Sequence, residues 1–323
     1  MRFVVAIGFD EAWSAAARLV AYGAYAQAAG FQVVFALTRM DREVYPLNLA
    51  AFSPTLDAPV VELLDLDSLA GDTVIFAAPK VHHIVQSHYG NTAPRFVHLI
   101  QSGLTASAVA DLGYGYRLFH KPMTRIVVTR DADDTIGRLV EGVAPMTRID
   151  AAFDLSAFRE PAERDRPLTF AINTFDGKFA LRALHKARDR GLSISAHMVT
   201  PEMSVKERAA AYRASHLLVA SPRVGEGICQ PAWEAMAAGC AVIIPDGEAL
   251  RTLPSGTVPV ATVRQSHFDG MVETLIHAAG RDRGVLTRLG HQAQNALSNH
   301  NPDHERAAAT ALLGRLGRGE MAA

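Results

Sequence analysis

Short apolar runs alternate with longer amphipathic stretches along almost the whole chain. That pattern restricts it to an α/β fold built on parallel strands. Residues 2–8 are one such run, closed by Gly8. Residues 12–29 carry apolar side chains at helical spacing and stop at Gly30, a residue suited to a helix exit. A strand over 31–37 follows, and further strands are predicted over 73–78, 95–101 and 125–129. Asp131 and Asp133 head the next segment and suit the start of a helix. Between 154 and 167 the pattern breaks: the stretch is charged, contains Pro161 and Pro167, and reads as an interdomain linker. The alternation then resumes with strands at 168–173, 192–198, 216–221 and 240–245 and helices at 178–190, 204–214 and 231–238. A last helix is expected over 303–316, after Asn301 and Pro302.

The chain has 323 residues, which at roughly 100–200 residues per domain suggests two domains. The expected divisions are 1–155, 156–300 and a terminal helix in 301–323. Both main parts read as Rossmann-like, and ligands in such sheets bind beyond the carboxyl ends of the strands. The expected site is therefore the cleft between two lobes. Lysine and arginine number 32 against 33 acidic residues, so a net charge of −1 removes the bulk electrostatic case for nucleic acid. Two cysteines, Cys229 and Cys240, exclude a disulfide framework and fit a reducing compartment. No apolar run reaches the roughly 18–20 residues a membrane span needs. The N-terminal run is a strand and not a signal peptide. The chain reads as cytoplasmic, with peripheral attachment at the inner membrane face as the alternative.

The most informative stretch is 219–245, which reads as strand, glycine-bracketed loop, short helix and strand. Pro231 suits the first helical turn and Gly239 the exit, giving a helix over 231–238. Glu226 then lies in the loop and Glu234 in the first turn, both directed towards the carboxyl edge of the sheet. Gly225 and Gly227 let backbone N–H groups approach a ligand, and the helix start adds positive potential. Such a loop suits an anionic diphosphate beside two carboxylates that accept hydrogen bonds from hydroxyls.

These residues resemble the family-4 retaining glycosyltransferases of the GT-B fold, whose signature is Glu-x7-Glu within E-G-x-x-x-P-x-x-E-A-M-A-x-G-x-x-V-I. Glu226, Gly227, Pro231, Glu234, Ala235, Met236, Ala237, Gly239, Val242 and Ile243 match at the same offsets. The resemblance implies that Glu234 holds ribose hydroxyls of a nucleotide-sugar and that Glu226 contacts the donor sugar. It also implies that the amides of Gly227, Ile228 and Cys229 face the phosphates. Family members follow the first strand of this lobe with G-R-x-x-x-x-K-G, whose Arg and Lys hold the diphosphate. Here Asn173 stands at the Arg position and Lys178 at the Lys position. Lys178 supplies a point charge that Asn173 does not, and Arg223 is the candidate to replace it.

The N-terminal part departs further from the pattern. Trp13 and Ser14 stand where a Gly-Gly pair is usual, which leaves Ser14 or a nearby amide for the donor. Ala77 and Ala78 occupy the place of the family's His. His82, His83 and His88 follow, with His98 in the next strand, and none has metal-ligand spacing. His83 is the candidate for acceptor or donor-sugar contact. The basic and aromatic stretch 116–122 reads as a short loop before a buried strand. Residues 148–158 resemble the family's hinge entry, with Asp154 and Phe158 retained and Phe153 where Val is usual.

The resemblance thus implies a GT-B-like α/β fold with an acceptor-side domain over 1–155 and a nucleotide-sugar domain over 156–300. The helix in 301–323 would pack back on the first. It implies transfer of a sugar, with retention, from a UDP- or GDP-sugar to a glycan, lipid or small-molecule acceptor. Lys178 and the helix start would stabilise the leaving diphosphate. No resident cofactor or metal is expected. Two other readings share the donor site: a non-catalytic nucleotide-sugar-binding protein on a decayed transferase fold, and a nucleotide-sugar hydrolase or epimerase. Family members usually have a further helix and strand between the strand at 192–198 and the helix at 204–214. Here only 199–204 intervene, so a shortened C-terminal lobe is expected.

Overall fold

The computed structural model describes residues 1–8, 13–38, 57–90, 94–103, 114–140, 146–159, 169–173, 177–193, 195–200, 203–222, 225–263 and 268–320. At Trp13, Tyr114, 169–171, Asn173, 177–180, Val263 and Phe268 it describes the backbone alone. The chain divides into two compact units: residues 1–152 with 301–323, and residues 153–300. No helix among the described residues is long and apolar enough to cross a membrane.

The first unit carries a seven-stranded sheet in the order β3-β2-β1-β4-β5-β6-β7. Its strands are β1 (Arg2–Ile7), β2 (Gln32–Leu37), β3 (Val60–Glu62), β4 (Thr73–Phe76), β5 (Arg95–Ile100), β6 (Thr124–Val127) and β7 (Thr147–Arg148). Every pairing is parallel. β1 lies between β2 and β4, and Phe3 through Ala6 have no exposed surface. Burial on both faces is why this strand reads as an unbroken apolar run and not as an alternation. The helices are α1 (Trp13–Ala28), α2 (Pro79–Tyr89), α3 (Tyr114–Leu118), α4 (Arg130–Leu139) and, far along the chain, α11 (Pro302–Gly317). α4 is capped by Thr129, whose side chain accepts from Ala132 N–H, so Asp131 and Asp133 fall in its first turn.

The second unit carries a five-stranded parallel sheet in the order β12-β11-β10-β8-β9. These are β8 (Thr169–Asn173), β9 (Ser195–Val199), β10 (Leu217–Val219), β11 (Ala241–Pro245) and β12 (Ala261–Val263). Its helices are α5 (Gly177–Asp189), α6 (Val205–Arg213), α7 (Gln230–Ala237), α8 (Glu248–Arg251), α9 (Phe268–Ala279) and α10 (Arg283–Ala296). Ile172, Leu184, Leu217, Val219, Ile243, Leu275 and Leu286 form the core between sheet and helices. β9 passes into α6 through residues 200–204 alone. α10 comes so close to the exit of α7 that a Cβ on Gly290 would stand 1.9 Å from the Gly239 carbonyl oxygen.

Part of the stretch expected as a linker is structured. Residues 156–158 form a 3-10 turn, and Leu155 and Phe158 are buried at 3% and 1% exposure. The Phe158 ring lies 6.1 Å from that of Tyr212 on α6. Two apolar anchors inside a charged stretch decide this, because each contributes about 1.5–3 kcal/mol once buried. Residues 160–167 of that stretch lie outside the described residues.

α11 is tied to the first unit by a buried ion pair. Arg18 on α1 donates to Glu305 on α11, with side chains 2% and 0% exposed. Glu305 Oε2 also accepts from the Ala152 N–H at 2.7 Å. Arg95 Nη1 donates to the Leu316 carbonyl at 3.1 Å, satisfying the far end of the helix. Glu305→Ala is expected to lower stability in urea by about 3–5 kcal/mol, because Arg18 stays buried without its carboxylate. Arg18→Met combined with Glu305→Leu should recover most of that loss.

Two histidines of this unit are buried neutral. His98 stacks on Phe76 at 4.8 Å and 4°, with Nε2 3.1 Å from the Ala77 carbonyl. His82 packs 4.5 Å from Phe96. Burial pushes His98 down to about 3 and His82 down to about 4, from an ordinary 6.5. The unfolded chain therefore takes up these protons first. Their contribution is intact above pH 6.5 and is lost as pH falls from there towards 4 and then 3. His82→Phe should flatten the dependence of the melting temperature on pH between 6.5 and 4; an unchanged slope would refute this.

Candidate functional site

The strand order of the second sheet reverses between β8 and β10: the chain runs outwards from β8 to β9, then returns to the other side of β8. Such a switch point opens a crevice at the carboxyl ends of its two strands. Val219 pairs with Ile172, so Asn173 leaves β8 at the same edge where Ala220 leaves β10. Ala220 N–H donates to Ile243 on the neighbouring β11 at 2.8 Å. Residues singled out from two distant parts of the sequence thus meet at one sheet edge. Asn173 is the last residue of β8 and Lys178 the second of α5; both are placed by backbone alone. Arg223 lies outside the described residues.

From β10 the chain passes through a loop to α7. Gly225 has φ +81°, a conformation that other residues adopt only at a cost of about 1–2 kcal/mol. Glu226 follows, 8% exposed, and Ile228 and Cys229 are at 2% and 0%. Among the described residues no acceptor is found for the backbone N–H groups of Gly227, Ile228 and Cys229. Buried N–H groups are seldom left so, and three in succession before a helix start make a cradle for an anion. The loop is braced from below: Thr252, just past α8, donates from Oγ1 to the Gly227 carbonyl at 2.7 Å.

α7 begins at Gln230, one residue earlier than the sequence suggested, because Pro231 takes its second position and not its first. Glu234 consequently sits in the second turn, and the first turn holds no acid. Ala238 caps the helix and Gly239 leaves it at φ +81°. Glu234 is 1% exposed and fully engaged inside the unit. Arg208 donates from Nε to Oε2 at 3.0 Å and from Nη2 to Oε1 at 2.9 Å. Gln230 Nε2 adds a bond to Oε1 at 2.9 Å. The guanidinium is fixed in turn by the Met203 carbonyl, 2.8 Å from Nη1.

Arg208 stands where it does because α6 starts on a capping box. The Ser204 hydroxyl accepts from Glu207 N–H, and the Glu207 carboxylate accepts from Ser204 N–H. That start puts Arg208 and Tyr212, one turn apart, on the buried face towards α7. Burial opposes the charge on Arg208, yet the field and hydrogen bonds of Glu234 hold its pKa above the ordinary value. The Cys229 thiol is pushed far up by burial, then by Glu226 and Glu234, so both carboxylates act on the same small volume. Neither cysteine is reactive: Cys240 is pushed up to about 12 by burial, and its Sγ lies 3.1 Å from the Tyr212 carbonyl.

The candidates of the first unit are placed differently. Ser14 has no exposed surface, because the first turn of α1 lies against the end of β5, where Gln101 reaches the Ser14 carbonyl at 3.4 Å. The expectation that Ser14 or a nearby amide meets the donor thus falls on a residue buried within this unit. His83 is exposed on α2 while its neighbour His82 is buried. Sequence reasoning missed Arg208, Gln230 and Thr252. For Arg208 there was a signal: an arginine one turn from a tyrosine on the apolar face of an alanine-rich helix requires a buried carboxylate.

No family model matches the sequence, and no curated protein matches it significantly. Solved structures do match. HepE of Anabaena, in complex with UDP-glucose, aligns with a TM-score of 0.68 at 10% identity over 97% of this chain and 99% of that one. Sucrose-phosphate synthase from Thermosynechococcus elongatus aligns at 0.64 and 14% identity over 99% of both chains. A glycosyltransferase from Rickettsia africae aligns at 0.61 and 9% identity, again over 99% of both. The chain therefore has the GT-B fold of these glycosyltransferases along its whole length.

The buried fork makes Glu234 a structural element whatever else it does. Glu234→Ala should cost about 3–5 kcal/mol in urea denaturation, because it leaves Arg208 without its carboxylate. Arg208→Leu in the same chain should restore much of it. A loss under about 0.5 kcal/mol, the level of an ordinary surface change, would contradict the geometry.

Proposed function

We propose that this protein is a glycosyltransferase that takes a sugar from a nucleotide-sugar, UDP- or GDP-linked, and passes it to an acceptor hydroxyl with retention of configuration. The observation that carries this is the run of N–H groups at Gly227, Ile228 and Cys229, which find no acceptor among the described residues, set beside Glu226 at the switch point of a GT-B chain. HepE, of the same fold, is described with UDP, with UDP-glucose and with UDP and glucose. In the proposed reaction the bond from the anomeric carbon to the diphosphate breaks, and the leaving oxygen keeps the electron pair. The acceptor oxygen bonds to the same face of the sugar and its proton passes to the departing phosphate. The costly quantity is charge on that phosphate. The 227–229 amides and the Lys178 ammonium are the groups assigned to stabilise it, and fixed donors lose little to reorganisation. Glu226 holds the sugar hydroxyls. The donor brings its own leaving group, so the proposal includes no resident cofactor or metal.

A second reading is favoured by one observation. With Asn173 in place of a cation and Glu234 closed inside the unit, the chain could bind nucleotide-sugars without turning them over. The two separate in one assay. The protein is incubated with UDP-, GDP-, dTDP- and ADP-sugars, with and without sugar, glycan and lipid acceptors, and nucleoside diphosphate release is measured. Acceptor-dependent release supports the transferase; binding without release supports the second reading; no binding refutes both. Free sugar or an isomer without acceptor would indicate the hydrolase or epimerase. Glu226→Gln is expected to lower kcat/KM about tenfold or more, the scale of a lost hydrogen bond to a charged group, with the melting temperature little changed.

A further inference from the structure

We propose that Thr252 is a positioning residue for the donor's diphosphate: its hydroxyl fixes the Gly227–Ile228 peptide so that the Ile228 N–H is turned to the anion. This rests on the donor-binding reading above. Thr252 Oγ1 donates to the Gly227 carbonyl at 2.7 Å, and among the described residues no other hydrogen bond is found on that peptide unit. In a trans peptide the C=O and the N–H point in opposite directions within one plane. A carbonyl held towards Thr252 therefore sets the Ile228 N–H on the opposite side, where no described residue supplies an acceptor. The Ala249 carbonyl lies 3.1 Å from the same hydroxyl oxygen, but a hydroxyl has one proton, and the shorter contact takes it. Thr252 is itself held firmly. It closes α8, its N–H donating to the Glu248 carbonyl at 3.1 Å, and α8 follows β11, which pairs with β10. Its branched side chain restricts χ1, so the hydroxyl keeps one direction. Glycine at 227 leaves one side of this peptide free to rotate, so the hydroxyl decides where the plane points. Thr252 thus acts through the Ile228 amide and not by touching the donor.

Calorimetry on the full chain with UDP, GDP and inorganic pyrophosphate tests this, with uridine and guanosine followed by ligand-observed NMR. Thr252→Val keeps the branched shape and removes the donor. It should bind pyrophosphate and the preferred nucleoside diphosphate about tenfold more weakly than the wild type, and the matching nucleoside within about twofold. Thr252→Ser restores the hydroxyl and should bring diphosphate binding back to within about threefold of the wild type. Thr252→Ala, which removes the donor without placing a new methyl group beside the Gly227 carbonyl, should repeat the Thr252→Val pattern. Undiminished diphosphate binding in a folded Thr252→Val or Thr252→Ala protein would overturn the inference. So would an equal loss for nucleoside and diphosphate, the mark of a merely loosened fold, or a folded Thr252→Ser protein as weak as Thr252→Val. A wild type that binds neither UDP nor GDP overturns the donor reading itself, and the inference falls with it.

Discussion

Arg208 and Glu234 are two opposite charges with almost no exposed surface, and much of the second unit's local geometry follows from keeping them together. Neither tolerates burial alone, so α6 and α7 are held at the separation a fork of two hydrogen bonds requires. The capping box fixes where α6 begins, which sets the height of Arg208. The Met203 carbonyl ties the short connection from β9 to the same guanidinium. Gln230 extends the network to the start of α7, the end that faces the loop of Glu226. An ion pair of this kind adds little net stability compared with an apolar packing of the same volume.

The sheet supplies the second constraint. β8 and β10 are neighbours although α5, β9 and α6 separate them in sequence. Their exits bring the start of α5, which carries Lys178, and a loop whose Gly227, Ile228 and Cys229 amides find no acceptor among the described residues to the same edge. The position of that edge is thereby set by rigid elements. Side chains near the loop are correspondingly inert: both thiols are held protonated by burial. Likenesses of 9–14% identity coexist with a fold shared along 97–99% of the chain.

The order of strands and helices was legible because each leaves a local period in the sequence. Buried parallel strands such as β1 are continuous apolar runs, and helices such as α6 are bounded by their own caps. The loop of Glu226 was legible for the same reason, since glycine, proline and acid lie within a few residues. What was illegible depends on partners far away in sequence. Glu234 reads as a ligand acid, and its fork with Arg208, 26 residues earlier, leaves no local mark in the sequence. The burial of Ser14 comes from α1 lying against the end of β5, a contact that no local pattern records. Residues 155–158 read as linker because charge around them outweighs two apolar side chains whose contact is Tyr212. Proline at the second position of α7, not the first, shifts Glu234 by one residue, from the end of the first turn into the second; local sequence alone does not distinguish the two.

The ion pair between α1 and α11 has a consequence for how the chain is made. Arg18 emerges from the ribosome early, and its carboxylate follows 287 residues later. At roughly 5–20 residues per second, the guanidinium waits about 15–60 s for Glu305. During that interval residues 153–300 can be complete as a unit while the first sheet still lacks its closing helix. The part synthesised first is therefore the part finished last. Emergence of α11, and not the appearance of β1, is the event that closes the first unit.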